Sequence, residues 1–406
     1  MKILVVCQHY WPEPYPLEDI CEELVNRGHE VDIITDVPNY PMGDIYPGYE
    51  HHRNRNETHG GVSIIRTFTI PRKHNTFFRM LNYYSFAFSS SIYAKRLKKE
   101  YDVVFTNQSS PIIMCSAAFA YAKKHSKKVV MYCMDLWPAS LAAGGLSEKS
   151  IIYKHFGKVS GKIYRKADRI LITSQMFRDY LIQQHHVDSK RISYLPQYAD
   201  AMFENLPVND QTKETIDLVF AGNVGAAQSI ETIIKAANYL KNESSLRWHI
   251  VGDGSELENC KHMVEEFGLS NVIFHGRKPI EEMPKYYSMA DAMLVTLTAD
   301  PLISRTLPRK VQTYMAAGKT IIGAATGEIQ NTISAAGCGY CADAEDADGL
   351  AKAVNLFVES KDKNGFERNA REYYMNHFTR KHFMDSLENE LTIYTNLEKR
   401  SDNDSI

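Results

Sequence analysis

The chain has 406 residues, of which 44% are hydrophobic and 24% charged, and its formal net charge is −2. That length predicts two domains or three, each with core enough to fold without staples. The charge balance excludes a dedicated nucleic-acid binder, which would carry a strongly basic domain.

Apolar runs alternate with helical patterns from the first residues onward. Ile3–Cys7 reads as a buried strand, and Leu17, Ile20, Cys21 and Leu24 then recur at helical spacing up to Arg27-Gly28. Further strands are predicted at Val31–Thr35, Val62–Phe68, Val103–Thr106, Val129–Cys133 and Ile170–Thr173. A second series occupies Ile216–Ala221, Trp248–Val251, Val272–Phe274, Ala292–Val295 and Thr320–Ile322. Continuous apolar strands separated by helices imply parallel sheets covered on both faces. The expected architecture is therefore α/β, with two doubly wound Rossmann-like domains facing a cleft. Domain boundaries are expected at 1–200 and 215–379, with a Pro- and Asn-bearing linker from about Pro196 to Thr215. A long amphipathic helix, Arg380–Leu397, is expected to return to the first domain before a polar tail. The seven cysteines, mostly inside apolar runs, read as buried free thiols of a reducing compartment. Ile3–Cys7 is too short for a signal segment, and no run approaches about 18 apolar residues. A cytoplasmic location is expected.

Four motifs could carry chemistry. Phe220-Ala221-Gly222-Asn223-Val224-Gly225 runs a strand into a small-residue loop and a helix, where backbone can approach a phosphate. The spacing G-x-G-x-x-G is absent, which argues against a dinucleotide. In Val251-Gly252-Asp253-Gly254, Gly252 offers close backbone approach, while Asp253 suits a turn or helix cap. In Arg305-Thr306-Leu307-Pro308-Arg309-Lys310-Val311-Gln312-Thr313, Pro308 opens a helix and Thr306 and Leu307 sit at its N-terminus. Cations there oppose the helix dipole, and a bound diphosphate would supply the reason for them. Asp135, in Asp135-Leu136-Trp137-Pro138, follows a strand at the carboxyl end, where α/β sites lie. No Asp-x-Asp clamp or trusted histidine spacing suggests a metal, so none is expected. The Cys338/Cys341 pair is placed in a strand, which speaks against redox use.

The segment His51–Arg79 carries six Lys or Arg against Glu57 alone, and Phe77–Tyr93 holds seven aromatics in seventeen residues. Basic groups beside aromatics suit an anionic membrane surface or a lipid-linked phosphate. An aromatic core helix behind a basic loop fits equally.

Gly222-Asn223-Val224-Gly225, Val251-Gly252-Asp253-Gly254, Phe274-His275-Gly276-Arg277 and Tyr314-Met315-Ala316-Ala317-Gly318 together resemble glycosyltransferase family 4. Asp135–Pro138, Pro38-Asn39-Tyr40-Pro41 and Leu307–Gln312 resemble its bacterial surface-polysaccharide branch, which includes N-acetyl-L-fucosamine-type transferases. The resemblance implies a retaining enzyme of GT-B fold, with a nucleotide-sugar donor, UDP-linked, as co-substrate. It implies a glycan or polyprenyl-diphosphate-linked acceptor and no resident cofactor; the charge balance speaks against nucleic acid, and the basic and aromatic segments lead to the expectation of peripheral work at the inner face of the cell membrane.

The chain departs from the family pattern where the family carries two glutamates, eight positions apart. These positions hold Arg305 and Thr313, so Gln312 or Thr313 is expected at the ribose, with Lys310 and Arg305 as diphosphate clamps. The family's basic residue after the first second-domain strand is also absent, and Asn223 and Gln228 lie nearby. By the same analogy, Arg277-Lys278 lies where main chain reads the nucleobase. Asp135, Arg305 and Lys310 are the residues expected at the reaction centre. The alternatives are a nucleotide-sugar 2-epimerase, or a non-catalytic nucleotide-sugar-binding subunit that has lost the glutamates.

Overall fold

The structure, a computed structural model, describes residues 1–73, 75–204, 206 and 214–403. Pro207, Asn209 and Asp210 of the expected linker lie outside the described residues, as does the end of the polar tail.

Eight strands form the first sheet: β1 (Lys2–Val6), β2 (Glu30–Thr35), β3 (Asn56–His59), β4 (Val62–Arg66), β5 (Val103–Gln108), β6 (Val129–Cys133), β7 (Arg169–Ile172) and β8 (Ile192–Tyr194). Their order is β3-β4-β2-β1-β5-β6-β7-β8, parallel throughout except that β3 runs antiparallel to β4. The second sheet holds β9 (Ile216–Ala221), β10 (Leu246–Val251), β11 (Val272–Gly276), β12 (Ala292–Thr296), β13 (Thr320–Ala324) and β14 (Gly339–Ala342). It is wholly parallel in the order β11-β10-β9-β12-β13-β14, so its direction of winding reverses between β9 and β12. Two doubly wound α/β sheets are what the apolar runs predicted. Two strands escaped the pattern. β3, Asn-Glu-Thr-His, is a polar edge strand joined to β4 by Gly60-Gly61, whose positive φ angles suit a two-residue hairpin. β8 is three residues long, too short to show a period.

The second sheet is buried on both faces, as its unbroken apolar strands require. One face (Leu218, Phe220, Trp248, Ile250, Leu294, Ile322) packs against helices that include Ile230–Tyr239 and Ala347–Glu359. The other (Val219, Ala221, Val251, Met293, Val295, Ile321) packs against helices Met283–Met289 and Arg309–Ala316. Each such buried aliphatic or aromatic side chain contributes roughly 1.5–3 kcal/mol of transfer free energy.

By its contacts the chain divides into two units. The first comprises Met1–Thr173, Phe177–Leu195 and the chain from Met384 onward; the second comprises Ser174–Met176 and Pro196–Phe383. Most of the C-terminal helix, Arg380–Asn403, thus belongs to the first unit. Arg27 donates to Asp385 and Glu388, Arg169 makes a two-pronged ion pair with Glu390, and Met384, Leu387 and Leu391 are buried. Among the described residues, no helix is long and apolar enough to cross a membrane.

Candidate functional site

In open α/β sheets, ligands bind beyond the carboxyl ends of strands where the winding reverses. The second unit has a pocket of about 970 Å³ there. Its floor is the backbone that leaves β9 and β10. The two loops stay paired past the strand ends: Gly222 N donates to Val251 O (2.9 Å), Val224 N to Asp253 O (2.9 Å) and Glu256 N to Val224 O (3.0 Å). Gly252 has φ +149, and a Cβ there would lie 1.8 Å from Gly222 O. Only glycine permits this approach. The Asp253 carboxylate accepts from Gly254 N at 2.8 Å, so it closes the turn as well as bordering the pocket.

The cationic wall comes from the helix Arg309–Ala316. Arg309, Lys310 and Thr313 lie on one side of this helix, with Thr313 at i+4 and i+3 from the other two, and all line the pocket. Arg309 is braced by Tyr198, donating from Nε to its carbonyl at 2.8 Å with the guanidinium over its ring. Lys310 Nζ donates to Gln228 Oε1 at 2.5 Å and stands 4.4 Å from the Phe220 ring centroid. Burial pushes the Lys310 ammonium down to about 7. Among the described residues no carboxylate pairs with it. A half-buried cation with donors to spare and no counter-ion favours an anion at this point. Opposite, Arg277 and Lys278 follow β11, and Tyr287, Met283 and Ile280 close the apolar side.

The structure thus gathers Gly222, Asn223, Gly252, Arg277, Lys278, Lys310 and Thr313 around one cavity. Gln228 reaches it through Lys310. Other expected residues stand elsewhere. Gln312 is wholly buried, its amide turned back to donate to Pro308 O and Arg309 O of its own helix, so its side chain faces the core and does not line the pocket. Arg305 ends the short turn Ile303–Arg305, donates to Pro301 O and does not line the pocket; Arg309 stands there instead. Leu307 is buried in the core, Thr306 donates its hydroxyl to Ile303 O, and Pro308 is the helix cap. Asp135 belongs to the first unit, in the loop after β6, where burial raises its carboxyl above the usual range. That loop is held by Tyr164, which accepts from Trp137 N, and by His185 against Trp137 O.

A second group went unread in the sequence. His9, Glu13 and Asp36 cluster, buried, just beyond β1 and β2 in the first unit. Glu13 accepts from the Asn39 and Tyr40 amides and contacts His9 Nδ1 at 2.8 Å. Asp36 accepts from Asn39, and burial beside Glu13 holds its carboxyl well above the usual range. The available signal was polar residues standing within three positions of the ends of apolar strands, at His9 and Asp36.

Residues 17–201 match the family model described as Glycosyltransferase Family 4, and residues 202–373 the one described as Glycosyl transferases group 1. The chain is a family 4-like glycosyltransferase. It is 25% identical over 391 residues to WcaI of Escherichia coli (strain K12), a protein named for glycosyl transfer in colanic acid biosynthesis; the match covers 87% of this chain and 91% of WcaI. Its fold matches sucrose-phosphate synthase of Thermosynechococcus elongatus with a TM-score of 0.75 at 17% identity, covering 98% of this chain and 99% of the other. It also matches HepE of Anabaena, solved with UDP and glucose, with a TM-score of 0.67 at 16% identity, covering 97% and 99%. The two units of this glycosyltransferase are thus those of the GT-B fold.

Proposed function

We propose that this glycosyltransferase moves a sugar, an N-acetylated hexosamine, from a UDP-linked donor to a glycan or lipid-linked acceptor in surface-polysaccharide synthesis, with retention at the anomeric carbon. The observation that carries the donor side is Lys310, a half-buried ammonium without a carboxylate partner beside glycine backbone at the carboxyl ends of β9 and β10. The UDP complex of HepE and the naming of WcaI support the nucleotide and the pathway class.

In this reading Lys310 and Arg309 take the diphosphate, Gly222 and Gly252 let it approach the backbone, and Thr313 lies toward the ribose. The base end lies at Arg277-Lys278. As the sugar–oxygen bond breaks, negative charge grows on the leaving diphosphate, and fixed cations stabilise it without reorganising. The leaving group itself then takes the acceptor proton on the same face. A thermal-shift screen of nucleotide sugars, followed by transfer assays on polyprenyl-diphosphate-linked and free glycan acceptors, tests the whole. A UDP-sugar that stabilises the protein and yields an α- or β-linked product with retained configuration supports it. Binding with no product on either acceptor class overturns it.

Lys310 makes the pH dependence specific. Its ammonium titrates near 7 in the free protein, and a diphosphate beside it raises that value. Above pH 7, UDP binding should therefore take up a proton that the wild type has lost, and affinity should fall as pH rises. Calorimetry at pH 8 in buffers of different ionisation enthalpy measures the uptake. Equal uptake in wild type and Lys310→Met would remove Lys310 from the phosphate site.

The cationic wall also supplies the charge that a bridging metal would otherwise bring. Transfer should survive excess EDTA with most of its rate. Loss of activity restored by Mn²⁺ or Mg²⁺ would show the opposite.

Attachment to an anionic membrane belongs to the same reading. The helix Thr76–Arg96 buries Tyr83 and Phe86 but exposes Phe77 (68%) and Phe88 (71%), so the aromatic stretch is part core, part surface. Arg72 lies over the Tyr40 and Tyr83 rings and Lys73 over Phe78. Each such cation contributes about 1 kcal/mol at an anionic surface, screened by salt. The protein should co-sediment with phosphatidylglycerol vesicles at low salt, and Arg72→Glu/Lys73→Glu should weaken this at least tenfold with donor affinity intact. A wild type that stays in the supernatant would leave a soluble acceptor as the better reading.

A further inference from the structure

Beneath the base end of the pocket, three polar side chains form a line with no part in the transfer chemistry. Asp217 on β9, His249 on β10 and His275 on β11 are joined by hydrogen bonds across the sheet: His249 Nε2 lies 3.0 Å from Asp217 Oδ1, and His249 Nδ1 lies 2.9 Å from His275 Nε2. The two imidazoles stack at 5.2 Å between centroids, and Asp217 and His249 are buried. A carboxylate only accepts, so His249 carries its proton on Nε2. In the neutral imidazole its Nδ1 is then the acceptor, and His275 donates from Nε2. One carboxylate thus fixes the tautomer and ring plane of both histidines.

The line ends at an irregularity in the sheet. Ile250 pairs with Phe274 but Val251 pairs with Gly276, so His275 is an extra residue bulged out of the β10–β11 ladder. A bulge bends its strand and re-aims the residues beyond it. Here those residues are Gly276, at φ +67, and then Arg277 and Lys278 on the pocket wall. Gly276 O in turn accepts from Gly252 N at 2.9 Å, which ties the bulge to the floor glycine. On its other side the His275 ring packs nearly edge-on against Tyr286 (5.0 Å between centroids), in the helix whose Met283 and Tyr287 line the cavity.

We propose that the chain Asp217–His249–His275 is a positioning element for the nucleobase: it holds the bulge, and through it the Gly276–Lys278 turn, and so sets how tightly and selectively the base end of the donor is gripped. This rests on the donor-pocket reading of the proposed function. A tilt of the turn changes the base contacts while the phosphate wall, carried by a different helix, stays where it is. Breaking the hydrogen-bonded line should therefore cause a loss confined to one end of the ligand.

The test uses UDP, ADP and inorganic pyrophosphate as probes, titrated against the full chain. His275→Phe keeps the ring against His249 and Tyr286 but removes the donor and strands His249 Nδ1. UDP affinity should fall at least about fivefold, the cost range of an unsatisfied buried acceptor. The UDP/ADP preference should shrink, and pyrophosphate affinity should stay within about twofold, since no phosphate contact changes. In turnover, donor KM should rise while kcat holds. His275→Gln, whose amide nitrogen can reach where Nε2 was, should restore most of the UDP affinity. His249→Leu, which cuts the chain one link further in, should repeat the loss, and serves if His275→Phe does not fold. Unchanged UDP affinity and base preference in a folded His275→Phe would overturn the proposal, as would equal losses for UDP and pyrophosphate. A wild type that binds pyrophosphate but none of the nucleotides would instead strike at the donor reading itself.

Discussion

Gly252→Ala is expected to lower the melting temperature by several degrees and to abolish measurable UDP binding. The reason is backbone against backbone. A Cβ at Gly252 would lie 1.8 Å from Gly222 O and 2.9 Å from Gly222 C, and neither atom belongs to a side chain that can swing away. The residue also sits at φ +149, where any side chain adds about 1–3 kcal/mol of strain. To relieve the clash the loops after β9 and β10 must part, breaking Gly222 N to Val251 O and Val224 N to Asp253 O. Those bonds are the floor of the pocket, so stability and binding should fail together. Gly268→Ala is the control. It too has positive φ (+64), at the end of the helix Leu257–Phe267, but a Cβ there meets nothing within 4 Å. It should cost only the left-handed strain of about 1 kcal/mol and leave UDP affinity alone. A Gly252→Ala protein that melts and binds like the wild type would show that the loops have slack, and that the floor is not set by their contact.

The difference between these glycines was half legible in the sequence. Gly252 announced itself by ending an apolar strand in Gly-Asp-Gly, and both parallel sheets followed from apolar runs of strand length. The helix Arg309–Ala316 was legible too, because Pro308 and Gly318 punctuate it. Its faces were not used: 309, 310 and 313 share one side of a helix, which places Arg309 and Thr313 beside Lys310 and sends Gln312 inward. Counting positions from a family pattern instead led to Arg305. That residue lies in a separate turn, built because Asp300 accepts from the Leu302 and Ile303 amides, and this capping is invisible in a run of hydrophobicity. The bulge at His275 is further out of reach. It is a matter of register between β10 and β11, set by packing across the sheet, and no local spacing encodes it. The buried cluster of His9, Glu13 and Asp36 lies between these cases. Its residues come after strands in sequence, yet Glu13 is recruited by the Asn39 and Tyr40 amides of a loop 26 and 27 positions away.

Lys310→Ala is expected to weaken UDP binding by roughly 10- to 150-fold, the range for a charge-assisted hydrogen bond of about 1.5–3 kcal/mol, and to lower turnover at least as much. Stability should move the other way or not at all. In the free protein the ammonium is held down to about 7 by burial, against 10.5 for an ordinary lysine. A lysine that is less basic folded than unfolded stabilises the native state less at neutral pH than at high pH, because the unfolded chain binds the extra proton. Removing it relieves that cost, while losing the Nζ contact with Gln228 Oε1 and the packing over Phe220 restores part of it. The free variant should therefore melt within a few degrees of the wild type at pH 7, and it should lose the rise in stability that the wild type gains between pH 7 and 10. UDP, which stabilises the wild type by mass action, should raise the variant's melting temperature far less at the same concentration. Lys310→Arg separates charge from fit. It keeps the cation but cannot deprotonate, and its longer planar head must share the space now held by the ammonium, 3.0 Å from where a Gly222 Cβ would stand. It should bind UDP more weakly than wild type at pH 7 yet without the fall in affinity at higher pH. Calorimetry of the three proteins at pH 7 and pH 9 decides the matter. Wild-type UDP affinity in Lys310→Ala would mean that the diphosphate sits elsewhere on the pocket wall, with Arg309 and Arg277 the residues to replace next.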